Sequence, residues 1–124
     1  MEMHESAENY LESIIILREE LPVVRSVDIA NYLGFKKSSV SVAMKNLREN
    51  DMITVSPQGY ITLTEKGEEV ASTIYERHIF ISENLQKLGV PRDIAIKDAC
   101  RIEHVISPES FEALKKHLEN MKIK

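Results

Sequence analysis

The stretch SVDIANYLGFKKSSVSVAMKNLREN, residues 26–50, followed by MITVSPQGYITLT, residues 52–64, decides the fold. Ser26 opens a helix with Asp28 in its first turn. Val27, Ile29, Ala30 and Leu33 form its apolar stripe, and Gly34 supplies the left-handed stop common at helix C-termini. Phe35-Lys36-Lys37 makes a turn. Ser38 or Ser39 is then expected to cap a second short helix reaching about Asn50, with Val40, Ala43, Met44 and Leu47 facing inward. Two short helices around a Gly-containing turn, the second flanked by bases, form a helix-turn-helix pattern. From Met52 the period changes from helix to strand. Met52-Ile53-Thr54-Val55 and Tyr60-Ile61-Thr62-Leu63 flank Ser56-Pro57-Gln58-Gly59, a turn sequence with Pro and Gly in place. A hairpin directly after a basic helix is the wing of a winged helix-turn-helix.

Working outward, residues 6–20 read as an amphipathic helix with Ser6 as its cap and Tyr10, Leu11, Ile14, Ile15 and Leu17 at helical spacing. Its polar face carries Asn9 and Glu12, three apart, which taken alone read as a solvated face. Downstream, Thr64 caps a long helix in which Val70, Ala71, Ile74, Tyr75, His78, Ile81 and Leu85 hold helical spacing up to Leu88-Gly89. A helix this long projects from the winged domain and is expected to pair with another chain. Pro91-Arg92-Asp93 opens a further helix. Ser107-Pro108-Glu109 starts the last one, with Phe111, Leu114, Leu118 and Met121 expected inside. The reading is mainly α with a small β-hairpin wing. A DNA-binding domain spans 1–64, and an all-helical domain spans 65–124.

The helix after Pro91 contains Asp98-Ala99-Cys100-Arg101-Ile102-Glu103-His104. Positions i, i+3 and i+4 share a helix face. A thiol (Cys100), a carboxylate (Glu103) and an imidazole (His104) therefore stand side by side, and all three are transition-metal ligands. The single cysteine has no second thiol to resolve an oxidised form, so ligation outranks redox sensing, and no internal disulfide is possible. His4 and His117 fit no constellation and are read as surface residues.

Composition sets the outer limits. The 124 residues, 43% apolar and 29% charged, suit a small globular protein; no apolar run is long enough for a membrane span, and the acidic N-terminus lacks a signal-peptide core, so the cytoplasm is expected. Net charge is −4, yet residues 36–48 carry Lys36, Lys37, Lys45 and Arg48 and no acid. Contact with double-stranded DNA is therefore local and gains affinity from dimerisation. The outward face offers Lys36, Lys37, Ser38, Ser39, Ser41, Lys45 and Asn46 to phosphates and base edges, with Gln58 at the wing tip along the backbone. A mononuclear metal hydrolase is disfavoured. The chain has no nucleophile motif or phosphate loop and too little mass for a substrate cleft.

This order closely resembles the diphtheria-toxin-repressor and manganese-transport-regulator family of metal-dependent transcriptional repressors. The resemblance rests on Glu8-Asn9-Tyr10-Leu11-Glu12, the Thr64-Glu65-Lys66-Gly67 that follows the wing, Arg77-His78 and the Cys100-to-His104 run. It implies a homodimer binding a palindromic operator of metal-uptake genes, with Mn2+ or Fe2+ as co-repressor. By position it also implies a metal site drawn from Asn9, Glu12, His78, Cys100, Glu103 and His104. The chain departs from the family in places. Asn9 stands where Asp or Met is usual, and Cys100 where manganese-type members have Glu. Ile96 and Ser82 replace the His and Glu of the iron-type ancillary site, which is not expected in its usual form. The C-terminal SH3-like domain of iron-type members is not expected either. The competing reading from Asn9 is a winged-helix regulator that is metal-independent or answers to an organic ligand, its His/Glu/Cys cluster structural.

Overall fold

The computed structural model describes residues 5–123, so His4 lies outside the described residues. Among them are six helices and one antiparallel hairpin: α1 (Glu5–Glu20), α2 (Ser26–Leu33), α3 (Lys37–Glu49), β1 (Ile53–Val55), β2 (Ile61–Leu63), α4 (Glu65–Lys87), α5 (Arg92–Val105) and α6 (Pro108–Ile123). Packing divides the chain into two compact units, one through Tyr75 and one from Glu76.

The first unit is a winged helix-turn-helix. Leu11 and Ile14 of α1, Ile29 of α2 and Val40, Met44 and Leu47 of α3 interlock in one buried core with Ile53 and Ile61 of the hairpin. The α2–α3 turn is set by Gly34, whose φ of 72° is the left-handed value that glycine adopts without strain. Its N–H and that of Phe35 both reach the Ala30 carbonyl, at 2.9 and 3.1 Å. Asp28 accepts a 2.9 Å hydrogen bond from the Arg25 N–H and so ties down the start of α2.

The hairpin pairs Ile53 with Leu63, Thr54 with Thr62 and Val55 with Ile61. Its turn is locked by the Ser56 hydroxyl, which accepts from the Tyr60 N–H at 3.0 Å, and by Gly59 at φ 85°. A two-stranded ribbon is marginal alone. Here the Ile61 N–H donates to the Val24 carbonyl at 2.8 Å, and the Arg25 guanidinium lies over the Tyr60 ring, 5.0 Å from its centroid. The wing base is thereby tied to the segment joining α1 and α2. Thr64 caps α4 as expected, its hydroxyl accepting from the Gly67 N–H at 3.0 Å. At Gly67 the helix runs so close to the wing that a Cβ would lie 1.9 Å from the Met52 carbonyl oxygen.

The second unit holds the rest of α4 with α5 and α6. Ile81, Ala99 and Phe111 form its small buried core, and Phe80 meets Phe111 edge-on at 5.4 Å. Ser107 caps α6 by accepting from the Ser110 N–H at 3.0 Å. Arg77 donates to the carbonyls of Glu103 (3.3 Å) and Ile106 (3.2 Å), satisfying groups that the end of α5 leaves open. Its guanidinium also lies over the Phe111 ring.

Several local expectations need correction. Ser6 lies inside α1 and is not its cap. Helix α3 begins at Lys37 with Lys36 in the cap position, so Ser38 and Ser39 sit in its first turn. The extended backbone before a helix can be supplied by Lys36 without a side-chain cap. Val27 is exposed, because an eight-residue helix turns only a narrow stripe inward. Among the described side chains of α6 only Phe111 is buried, while Leu114 and Met121 are exposed. Periodicity identified the apolar face of α6, but the core of this unit reaches only its first turns.

Candidate metal centre and nucleic-acid face

Helix α5 does what its spacing demands. Cys100, Glu103 and His104 share one face, and one ligand atom from each lies within 4.8 Å of the others. Helix α4 adds His78. Its Nδ1 lies 3.0 Å from Glu103 Oε2, while His104 Nε2 lies 3.2 Å from Glu103 Oε1. Both oxygens of one carboxylate thus face an imidazole nitrogen, one from each helix. The Glu103 and His104 side chains are 0% exposed, and His78 is largely covered.

A buried carboxylate costs several kcal/mol unless opposite charge or hydrogen bonds offset it. The donors here are a thiol, a carboxylate and two imidazoles, the set that borderline divalent metals prefer. Ligands around such an ion sit about 3–4 Å apart, given bonds of about 2.0–2.3 Å. Cys100, Glu103 and His104, within 4.8 Å of one another, meet that requirement with small side-chain movements, and His78 reaches the same carboxylate. The residues present fit a divalent transition metal.

The other two metal candidates belong to the winged unit. Asn9 is partly exposed on α1, and Glu12 on the same helix is only 6% exposed. The solvated-face reading of Glu12 is therefore overturned. Glu12 and Glu19 also act on Tyr75, whose phenol is pushed up first by burial and then by these two negative charges. Sequence reasoning quoted Arg77 as part of the Arg77-His78 motif but gave it no role; it pins the backbone of Glu103 itself. Its place immediately before His78 was the available signal.

The α3 face stands as expected. Lys36, Lys37, Ser38, Ser39, Ser41, Lys45 and Asn46 are all exposed, as is Gln58 at the wing tip. Arg48 continues the basic edge toward the end of the helix. The whole face has no acidic side chain before Glu49.

Residues 2–60 match the family model described as the iron dependent repressor, N-terminal DNA binding domain; residues 64–124 match the iron dependent repressor, metal binding and dimerisation domain. An HTH-type transcriptional regulator of Methanocaldococcus jannaschii is 36% identical over 98% of this chain and 99% of its own length. The transcriptional regulator MntR of Escherichia coli O6:H1 is 34% identical over 90% of this chain and 72% of its own. Among solved structures, the manganese regulator SloR superposes with a TM-score of 0.81 at 30% identity, over 91% of this chain and 53% of that one. IdeR of T. acidophilum, at 23% identity and TM-score 0.80, shares the fold over 96% of this chain and is covered over 55% of its length. This chain thus spans about half the length of those two solved structures. With both halves matched in order and the wing and ligand-bearing helix in place, the chain belongs to the iron-dependent repressor family, the diphtheria-toxin-repressor and MntR group of metal-dependent, DNA-binding transcriptional repressors.

Proposed function

We propose that this chain represses metal-uptake genes as a homodimer on a palindromic operator, with Mn2+ or Fe2+ as co-repressor. The observation that carries the reading is the convergence of His78 and His104 on the two oxygens of buried Glu103, with Cys100 in ligating reach. We assign the ligand set to Asn9, Glu12, His78, Cys100, Glu103 and His104. The family resemblance supports Asn9 and Glu12, and the α4–α5 geometry supports the other four. A bound ion would supply positive charge against the carboxylates of Glu12 and Glu103 and the thiolate of Cys100.

The protein's part is linkage. In this reading metal binds more tightly to the DNA-competent arrangement and so shifts the population toward it. Helix α3 enters the major groove, with Ser38, Ser39, Ser41 and Asn46 at base edges. Lys36, Lys37 and Lys45 meet phosphates, and Gln58 follows the backbone from the wing. Residues 1–64 serve as the DNA-binding domain and 65–124 as the metal-binding and dimerisation domain. Exposed Leu88, Val105, Leu114 and Met121 in the second unit support pairing with a second copy. The chain acts in the cytoplasm as a regulator and not as an enzyme. No described helix is long and apolar enough to cross a membrane.

The test is DNA binding by fluorescence anisotropy with chelator-treated protein, titrating Mn2+ and, anaerobically, Fe2+. The probe is a duplex selected by the metal-loaded chain from a randomised library. Metal-dependent tightening that Glu103→Ala and His104→Ala both abolish is expected. Equal binding with and without chelator would reduce the cluster to a structural role.

A further inference from the structure

On α3 the core side is fixed by Val40, Met44 and Leu47, all buried. At 100° per residue, Val42 points about 200° away from Val40, to the outermost line of the helix. It is 60% exposed, the most exposed large apolar side chain among the described residues of the winged unit. Its helix neighbours are Ser38 and Ser39 on the preceding turn and Lys45 and Asn46 on the following one, all exposed and polar. A single surface valine needs no explanation by itself. This one stands at the apex of the face assigned to DNA, where a polar residue would serve solubility and helix formation better.

Valine offers no hydrogen bond. Pressed into a major groove, it would strip water from the donor or acceptor of whichever base it covers and return nothing. The one apolar group on the major-groove edge of any base pair is the C5-methyl of thymine. Valine is also stiff in a helix, with one strongly preferred rotamer, so its two methyls occupy a fixed place relative to the axis. It is the sixth residue of α3, within the N-terminal half that reaches base edges when such a helix docks.

We propose that Val42 is a specificity-determining residue that reads a thymine methyl in each half-site of the operator. The inference rests on the DNA-binding role of α3 given above and adds what that face selects. Ser38 and Asn46, one turn to either side, supply hydrogen bonds to flanking bases, and Val42 sets the apolar position between them.

The experiment uses the full chain with saturating Mn2+ and a duplex it has selected from a randomised library. Each thymine is replaced in turn by uracil, which lacks only the methyl group and keeps its pairing. At one symmetry-related pair of positions, affinity is expected to fall about fourfold per half-site, the worth of one buried methyl-sized group. Val42→Thr keeps one of the two branch methyls and is expected to keep that loss. Val42→Ala is expected to bind more weakly and to be indifferent to uracil at that pair. A flat uracil scan with the unaltered chain, or the same loss in Val42→Ala, would overturn this inference while leaving the repressor reading intact. Failure of the metal-loaded chain to enrich any sequence would overturn the repressor reading and this inference with it.

Discussion

Glu103 Oε2 stands 3.0 Å from Nδ1 of His78, a residue 25 positions earlier in sequence and on a different helix. The contact joins α4 to α5 at a point where neither side chain is well solvated, since Glu103 is 0% exposed. Replacing this carboxylate with its isostere is the sharpest probe of the centre. Glu103→Gln is expected to weaken Mn2+ binding at least about 100-fold, above the range typical of outer-shell partners. Thermal unfolding gives a second reading. In the unaltered chain, metal at 100 times Kd should add about 2.7 kcal/mol of stability. In Glu103→Gln at the same metal concentration that increment should fall to about 0.4 kcal/mol or less, and the chelated protein should be no less stable than the unaltered one.

Cys100 tests the donor set directly. Cobalt(II) added anaerobically to the chelated chain is expected to give a sulfur-to-metal charge-transfer band in the near ultraviolet. Cys100→Ser should lose the band while retaining weaker absorption from the nitrogen and oxygen ligands. A spectrum unchanged in Cys100→Ser would remove the thiol from the centre.

Gly67 is irreplaceable for a reason of space, since its φ is ordinary. A Cβ there meets the Met52 carbonyl at 1.9 Å, and backbone cannot step aside as a side-chain end can. Gly67→Ala is expected to cost about 1–3 kcal/mol, the usual toll of overpacking. The loss should appear as a lower denaturation midpoint with an unchanged slope in urea. Gly34→Ala, strained only by its φ of 72°, should cost about 1–2 kcal/mol and leave the wing contacts unaffected.

Arg18 and Glu68 form a bidentate pair between α1 and α4 at 2.6 and 2.5 Å. The Arg18 guanidinium, chiefly through these hydrogen bonds, holds the Glu68 carboxyl below its ordinary value of 4.5. A depressed folded pKa stabilises the chain above the unfolded value. That contribution is lost as pH falls from about 4.5 through the lowered folded value. Both side chains are more than two-fifths exposed, so the pair is worth about 0.2–1 kcal/mol. A double-mutant cycle of Arg18→Met and Glu68→Gln should show that coupling at pH 7, less of it in high salt, and progressively less as acid protonates Glu68.

Lys45 should behave as a phosphate contact. Lys45→Ala is expected to weaken binding to selected and unrelated duplexes alike, and to lower the slope of log affinity against log salt by about 1 per half-site. A loss confined to the selected sequence would instead make Lys45 a base reader.

The winged unit was legible because each of its elements carries its own signal. Gly34 stops α2, Thr64 caps α4, and Pro57 with Gly59 closes the wing. The Cys100, Glu103, His104 face was equally readable, since helical spacing alone aligns the three. What escaped depends on packing between elements. Period shows that Leu114 and Met121 lie on one stripe of α6, but not that only Phe111 reaches the core. Glu12 sits on a polar face by pattern and is buried in the fold, because the cover over a helix face is supplied by distant sequence. The start of α3 at Lys37 was hidden by two serines that look like caps.

The hydrogen bond from Ile61 to Val24 changes what the wing has to surrender on DNA. Both ends of β2 are already committed, through that bond, the Arg25–Tyr60 stack and the Thr64 cap. At the tip the Gly59 N–H closes the turn on the Ser56 carbonyl at 2.9 Å, so only exposed Gln58 is left to adjust, proline having a fixed φ. Ordering one residue's backbone costs about 1–2 kcal/mol, so seating this wing on a phosphate backbone carries an entropic penalty of roughly one residue, and a hairpin free at its base would carry several. Affinity won at the groove by α3 is therefore not spent on arranging its neighbour.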